Sequence, residues 1–210
     1  MLMDMSLRDF CALLASKEPA PGGGSVSAFA GVLAASLGQM AVNLTVGKKV
    51  FESADDIVKE AVNEAGAELA GLGERLTKLV DDDTEAFNAY MTSFKMPKAS
   101  DEEKNARKKA LSAAEEVIVS VPLATFTACS EIFPHLATLA VYGNKNCISD
   151  VAVAANMALS GMEGGMYNVL TNKMHDGKRT EYTEKMTRML NEAAVCRDKI
   201  INTAKEIFNE

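Results

Sequence analysis

LAGLGERLTKLVDDDTEAFNAYMTSF, residues 69–94, is the stretch that decides the fold class. Leu69, Leu72, Leu76, Leu79, Asp83, Phe87, Tyr90 and Phe94 follow one another at spacings of three or four. Side chains so spaced stack along one face of an α-helix, so this is one apolar helix face. A strand would need alternation, and no stretch of the chain alternates between hairpin-type turns. The face has one break, the acid Asp83. A carboxylate in an apolar seam is costly unless partnered, and burial raises its pKa toward the range useful for proton transfer. Two readings fit the pattern: Asp83 is a proton-transfer group, or it belongs with Asp81 and Asp82 to a solvated cluster that grazes the core.

Upstream, no charged residue occurs from Pro19 to Gly47. Pro-Ala-Pro-Gly-Gly-Gly, 19–24, cannot be helix interior, so Ser25 is expected to cap the uncharged helix that follows and Gly47 to end it. A run of this length can span a bilayer. Yet Ser25, Ser27, Ser36, Gln39, Asn43 and Thr45 are scattered around it, and Gly31, Ala34, Ala35 and Gly38 invite close approach by another helix. The expectation is a helix buried in protein or in a homodimer, not in a membrane. The turn Gly22-Gly23-Gly24-Ser25 is either a tight cap or a place where free amides and the helix dipole hold an anion.

Downstream, a helix starting after Ser53, with Asp55 and Asp56 at its positive end, is expected to reach Phe94, bent by Gly66, Gly71 or Gly73. Ser-Asp-Glu-Glu, 100–103, reads as a capping box for the next helix, which Pro122 and Pro134 should kink or divide. Gly143-Asn144 stops the chain, Ser149-Asp150 restarts it, and Gly177 precedes a last charged helix over about 179–208. Within Gly143–Asp150, the polar groups either cap that helix or face a ligand. Gly161, Gly165, Asn168 and Asn172 form a strip suited to close helix packing or to a flat ligand bonded by amides. The pattern has no repeat and no linker. It predicts an all-α fold over residues 1–210, a single-domain bundle of long antiparallel helices.

Composition excludes several functions. The 210 residues are 48% hydrophobic and 24% charged, so a folded core is expected. A net charge of −7 argues against a nucleic-acid binder, which needs a basic face. Cys11, Cys129, Cys147 and Cys196 form no CxxC pair, and only His135 and His175 could assist them, so no metal site is expected. The opening Met-Leu-Met-Asp-Met-Ser lacks a basic-then-apolar leader, which predicts a cytoplasmic protein.

Seven short stretches, in order along the chain, resemble the cyclodeaminase/cyclohydrolase family. These are PAPGGGSVS (19–27), TVGKKVFE (45–52), LVDDDTEAF (79–87), KMPK (95–98), VPLA (121–124), GNKNCISD (143–150) and YNVLTN (167–172). The family includes the cyclodeaminase half of formiminotransferase-cyclodeaminase and stand-alone methenyltetrahydrofolate cyclohydrolases. The resemblance implies an all-α homodimer or higher oligomer, with folate bound near the subunit interface and the catalytic carboxylate supplied by LVDDD. Asp83 is expected to move the proton, because it faces the seam, with Asp81 as auxiliary.

Both family reactions pass through a tetrahedral carbon between two folate nitrogens, and each needs one positioned proton carrier. A carboxylate serves as base and as counter-charge to an amidinium. No metal and no cofactor beyond the folate substrate are then required. Gly22, Gly23, Gly24 and Ser25 are expected to line the cleft. Asn144, Asp150 and Asn168 are expected at the pterin edge, and Lys48 and Lys49 at the glutamate tail. No formiminotransferase portion is read in the sequence, which favours hydrolysis of methenyltetrahydrofolate over formimidoyltetrahydrofolate deamination. A non-enzymatic helical scaffold is the reading from another class.

Overall fold

The structure, a computed structural model, describes residues 1–172 and 176–209; His175 lies outside them. Its helices are α1 (Leu7–Leu14), α2 (Gly23–Asn43), a short α3 (Lys49–Glu52), α4 (Asp56–Phe94), α5 (Asp101–Glu131), α6 (Phe133–Tyr142), α7 (Ile148–Thr171) and α8 (Asp176–Phe208). No strand occurs among the described residues. The all-α bundle expected from the spacing of residues 69–94 is what forms.

α2 lies at the centre, packed chiefly on α4 and α7. Ala28, Ala34, Ala35 and Ala41 on α2 and Leu69, Leu72, Leu76 and Leu79 on α4 are buried in one core, and Gly31 and Gly38 let Leu76 and Leu69 approach α2 closely. Each such leucine contributes about 1.5–3 kcal/mol on leaving water. α2, α5 and α7 meet at Cys129, which small residues make possible. A Cβ on Gly31 would stand 2.7 Å from its Sγ, and one on Gly161 would stand 2.6 Å away. Burial pushes the Cys129 thiol up to about 12, so it stays protonated and serves as packing. The glycine strip on α7 is therefore explained, in this part, by close helix packing.

Several expected boundaries move. α2 begins at Gly23 with Gly22 at the cap position, so Ser25 is not the cap but a residue of the first turn. Gly47, at φ +79°, ends this region in the left-handed conformation that glycine adopts without strain. The third expected helix forms as α4, from Asp56 to Phe94, and the short α3 precedes it as an addition. Past Asp56, α4 is continuous through Gly66, Gly71 and Gly73, because packing outweighs their weak helix preference. The Ser100 capping box forms with both of its hydrogen bonds. Pro134 divides α5 from α6, whereas Pro122 sits inside α5. α7 restarts at Ile148, ahead of Ser149 and Asp150, and Gly177 falls within the first turn of α8.

Candidate active site

The start of α2 presents backbone amides that need acceptors, and Gly22 has no side chain to offer one. A carboxylate from another helix takes that place. Asp83 Oδ2, on α4, accepts from the Ser25 amide at 2.9 Å and from the Ser25 hydroxyl at 3.1 Å. Ser25 Oγ also lies 3.2 Å from Thr84 Oγ1. Gly24 leaves room for the acid: a Cβ there would stand 2.0 Å from Asp83 Oδ1. The Gly-rich turn does hold an anion at a helix start, and that anion is the protein's own.

Asp83 is half-buried, and burial is the largest influence on it, raising its pKa above the ordinary carboxylate value of 3.8. The hydroxyl and amide of Ser25 pull the other way without cancelling the effect. Oδ2 is oriented by Ser25, while Oδ1 receives no hydrogen bond among the described residues. The result is a fixed, unusually basic carboxylate with one oxygen available.

It opens into a cleft of about 460 Å³. Pro19, Ala20 and Gly22–Gly24 form one wall; Asp83, Ala86, Phe87 and Tyr90 of α4 form a second. Ile118 of α5 and Asn168, Thr171 and Asn172 near the end of α7 complete it. Asn168 Nδ2 donates to the Gly164 carbonyl at 2.8 Å, which leaves its Oδ1 without a donor. Pro122 explains Asn172. Lacking an N–H, the proline leaves the Ile118 carbonyl unsatisfied inside α5, and Asn172 Nδ2 donates to it at 2.6 Å. That bond ties the end of α7 to α5 beside the cleft. A proline in a helix with an amide waiting elsewhere was the sequence signal for Asn172 as a wall residue. Phe87 and Tyr90 were visible as members of the α4 seam; the structure adds that they face a cleft.

Of the residues expected at the site, Gly22, Gly23, Gly24, Ser25, Asp83 and Asn168 are brought together. Asp81 is not among those lining the cleft. It is buried, 8% exposed, and its Oδ1 accepts from the Leu2 amide, tying the N-terminal turn to α4. The remaining four lie at the other end of α2, about 30 Å away by helix rise. There Asn144 donates its amide to Thr45 Oγ1 at 2.8 Å and its Nδ2 to the Leu44 carbonyl at 3.0 Å. Asp150 and Lys48 both flank Cys147 at this end, and Lys49 follows on the surface. Within one chain these four cannot touch a ligand held at Asp83. Sequence order could not separate the two groups, since both adjoin α2.

Residues 6–192 match the family model described as formiminotransferase-cyclodeaminase. The methenyltetrahydrofolate cyclohydrolase of Methylorubrum extorquens is 35% identical over 199 residues, covering 93% of this chain and 94% of that protein. The formimidoyltransferase-cyclodeaminase of Mus musculus is 37% identical over 171 residues, 81% of this chain but 31% of that longer protein. A crystal structure of formiminotetrahydrofolate cyclodeaminase from Thermotoga maritima superposes with a TM-score of 0.76 at 26% identity, covering 99% of this chain and 97% of that one. The chain belongs to the formiminotransferase-cyclodeaminase family of one-carbon folate enzymes.

Proposed function

We propose that the chain is a methenyltetrahydrofolate cyclohydrolase in which Asp83 moves the proton. The observation that carries this reading is the half-buried, Ser25-oriented Asp83 with one oxygen facing a cleft. Asp83 accepts a proton as water adds to the cationic methenyl carbon, giving a neutral tetrahedral intermediate. It returns that proton to one folate nitrogen as the carbon–nitrogen bond breaks. The hydroxyl proton leaves to solvent, and a formyl group remains on the other nitrogen. Before attack, the same carboxylate offsets the positive amidinium. Burial raises its pKa above the ordinary carboxylate value, which makes it a better proton acceptor than an exposed aspartate. Similarity to the M. extorquens cyclohydrolase along almost the whole of both chains supports hydrolysis as the reaction.

The second reading is formimidoyltetrahydrofolate cyclodeaminase, favoured by the match to the T. maritima structure. There, Asp83 would assist the attack of one nitrogen on the formimino carbon and protonate the departing ammonia. A spectrophotometric assay offering methenyl- and formimino-tetrahydrofolate in parallel decides between them. Methenyl turnover without ammonia release is the expected result, and ammonia release from the formimino substrate alone would overturn it. Binding of neither folate would leave only a helical scaffold.

We also propose that the enzyme is a cytoplasmic homodimer paired through α2. Val26, Ala30, Leu33, Leu37, Met40 and Leu44 recur at spacings of four and three along its outer side, and Val26, Leu33, Met40 and Leu44 are exposed. This is the seam of a helix that packs against a second helix. A two-fold axis across α2 would set the Lys48 and Asn144 end of one copy beside the Asp83 cleft of the other. Light scattering should give twice the chain mass, reduced to one by Leu33→Glu. A wild-type monomer at micromolar concentration, or partition into membranes, would refute the pairing.

A further inference from the structure

The end of α7 carries Asn168, Thr171 and Asn172 to the cleft, and three features hold it in place. The first is Gly165, which lets α7 lie close on α5: a Cβ there would stand 3.0 Å from the Pro122 carbonyl oxygen and 3.0 Å from the Phe126 nitrogen. The second is Asn172, whose Nδ2 donates to the Ile118 carbonyl at 2.6 Å and to the Asn168 carbonyl at 2.9 Å. The third comes from the start of α8. Arg179 Nη1 donates to the Leu170 carbonyl at 2.6 Å, and its Nη2 donates to the Asn172 carbonyl at 3.1 Å. Carbonyls at a helix end have no partner within the helix, so the guanidinium closes α7 with charge-assisted bonds.

Pro122 makes the Asn172 bond more than incidental. Proline inside a helix is costly, because it removes one hydrogen bond of the ladder and crowds the carbonyl four residues back. That carbonyl belongs to Ile118, which itself lines the cleft. An alanine at position 122 would close the ladder without help from another helix. With proline there, the acceptor is kept for an amide that arrives from α7, and the bond joins two walls of the cleft. Asn168, one turn before Asn172, is fixed as well: its Nδ2 donates to Gly164, and its Oδ1 receives no hydrogen bond among the described residues.

We propose that Asn172 and Arg179 are positioning residues that hold the end of α7, and with it Asn168, at the distance the bound folate requires. The proposal rests on the folate reading of the Asp83 cleft. Asn168 touches the ligand through Oδ1, and the other two act through it, Asn172 from its anchor on α5 and Arg179 from α8. Arg179 is not among the residues lining the cleft, so it reaches the ligand only by way of α7. Asp83 is held separately, by Ser25 of α2. Loosening α7 therefore weakens binding more than it slows proton transfer.

The test measures melting temperature together with KM and kcat for methenyl- or formimino-tetrahydrofolate, whichever turns over. Asn172→Ala should raise KM about tenfold with a smaller change in kcat, and should lower the melting temperature by stranding the Ile118 carbonyl. Arg179→Gln, away from the ligand, should raise KM about fivefold, the scale of one hydrogen bond. Pro122→Ala supplies the missing N–H. Alone it should leave KM near normal, since a carbonyl accepts two bonds and Asn172 keeps its place. Combined with Asn172→Ala, it should restore the melting temperature while KM stays high. A KM that recovers along with the melting temperature in the double variant would overturn the positioning role, as would a wild-type KM in Arg179→Gln, and either result leaves the folate reading intact. Turnover of neither folate by the wild type would overturn the folate reading, and the positioning role with it.

Discussion

The two ends of α2 solve one problem in different ways. At its C-terminal end uncharged groups close on one another: Thr45 Oγ1 donates to the Ala41 carbonyl at 2.7 Å and accepts from the amide of Asn144, 99 residues away, and Gly47 turns the backbone away. At its N-terminal end the glycines supply no cap, and Asp83 is brought from 58 residues away to accept from Ser25. The first arrangement leaves polar groups mutually satisfied and closed. The second half-buries a charge, leaves one of its oxygens free, and surrounds it with glycines that admit a ligand. A helix end completed by a half-buried carboxylate with a spare oxygen has the makings of a site, whereas one closed by neutral groups that satisfy each other is structural.

The sharpest way to break this contrast is Asp83→Asn. The amide retains an acceptor for Ser25, so the helix start should persist, while proton transfer is lost. Turnover should fall by about a hundredfold or more, with melting temperature unchanged or slightly raised. Asp82→Asn, on the same turn but off the cleft, should leave turnover near normal. If Asp83→Asn keeps wild-type rates and Asp81→Asn abolishes them, the placement of the catalytic acid is wrong although the family stands.

Next in size is Gly24→Ala, because the new methyl must displace the Asp83 carboxylate. A misplaced catalytic group should cost about tenfold to a hundredfold in kcat. Gly22→Ala meets nothing within 4 Å and should leave kcat unaltered. Equal loss from both would return the whole turn to a purely conformational role.

At the opposite end, Thr45→Val should act on stability. It strands the Asn144 amide and removes a hydroxyl bond, costing about 1–3 kcal/mol in denaturant unfolding. A smaller effect would mean water replaces the hydroxyl.

A subtler measurement is the pH dependence of stability. The folded-state pKa of Asp83 lies above its unfolded value, so the native state holds the proton more tightly. Wild-type stability should therefore fall as pH rises from the ordinary carboxylate range through the raised value, and Asp83→Asn should lack that slope. A steeper slope in the variant would contradict the dominance of burial over the Ser25 hydrogen bonds. The smallest expected effect is at Cys129, buried with its thiol pushed up to about 12. It should resist alkylation in the native protein while exposed Cys11 reacts.

What the sequence determined by itself was local and periodic. The three-four spacing from Leu69 to Phe94 fixed a helix and marked Asp83 as its anomaly, and Ser100 to Glu103 fixed a helix start, because both depend on residues within a turn of one another. The expectation for Ser25 failed because the true cap arrives from another helix, beyond the range of any local rule. Asp81 and Asp83 looked like partners because they are two residues apart, yet that spacing turns them to different sides of α4, one toward Leu2 and the other toward Ser25. Lys48, Lys49, Asn144 and Asp150 looked like companions of the Gly-rich turn because both groups adjoin one helix. Only the tertiary structure sets them a helix length apart, since distance along a rigid helix grows with every residue and composition does not record it. The fit of Asn172 to the carbonyl freed by Pro122 was likewise decided only by packing, which brought α7 against α5 closely enough for one amide to replace a missing backbone donor.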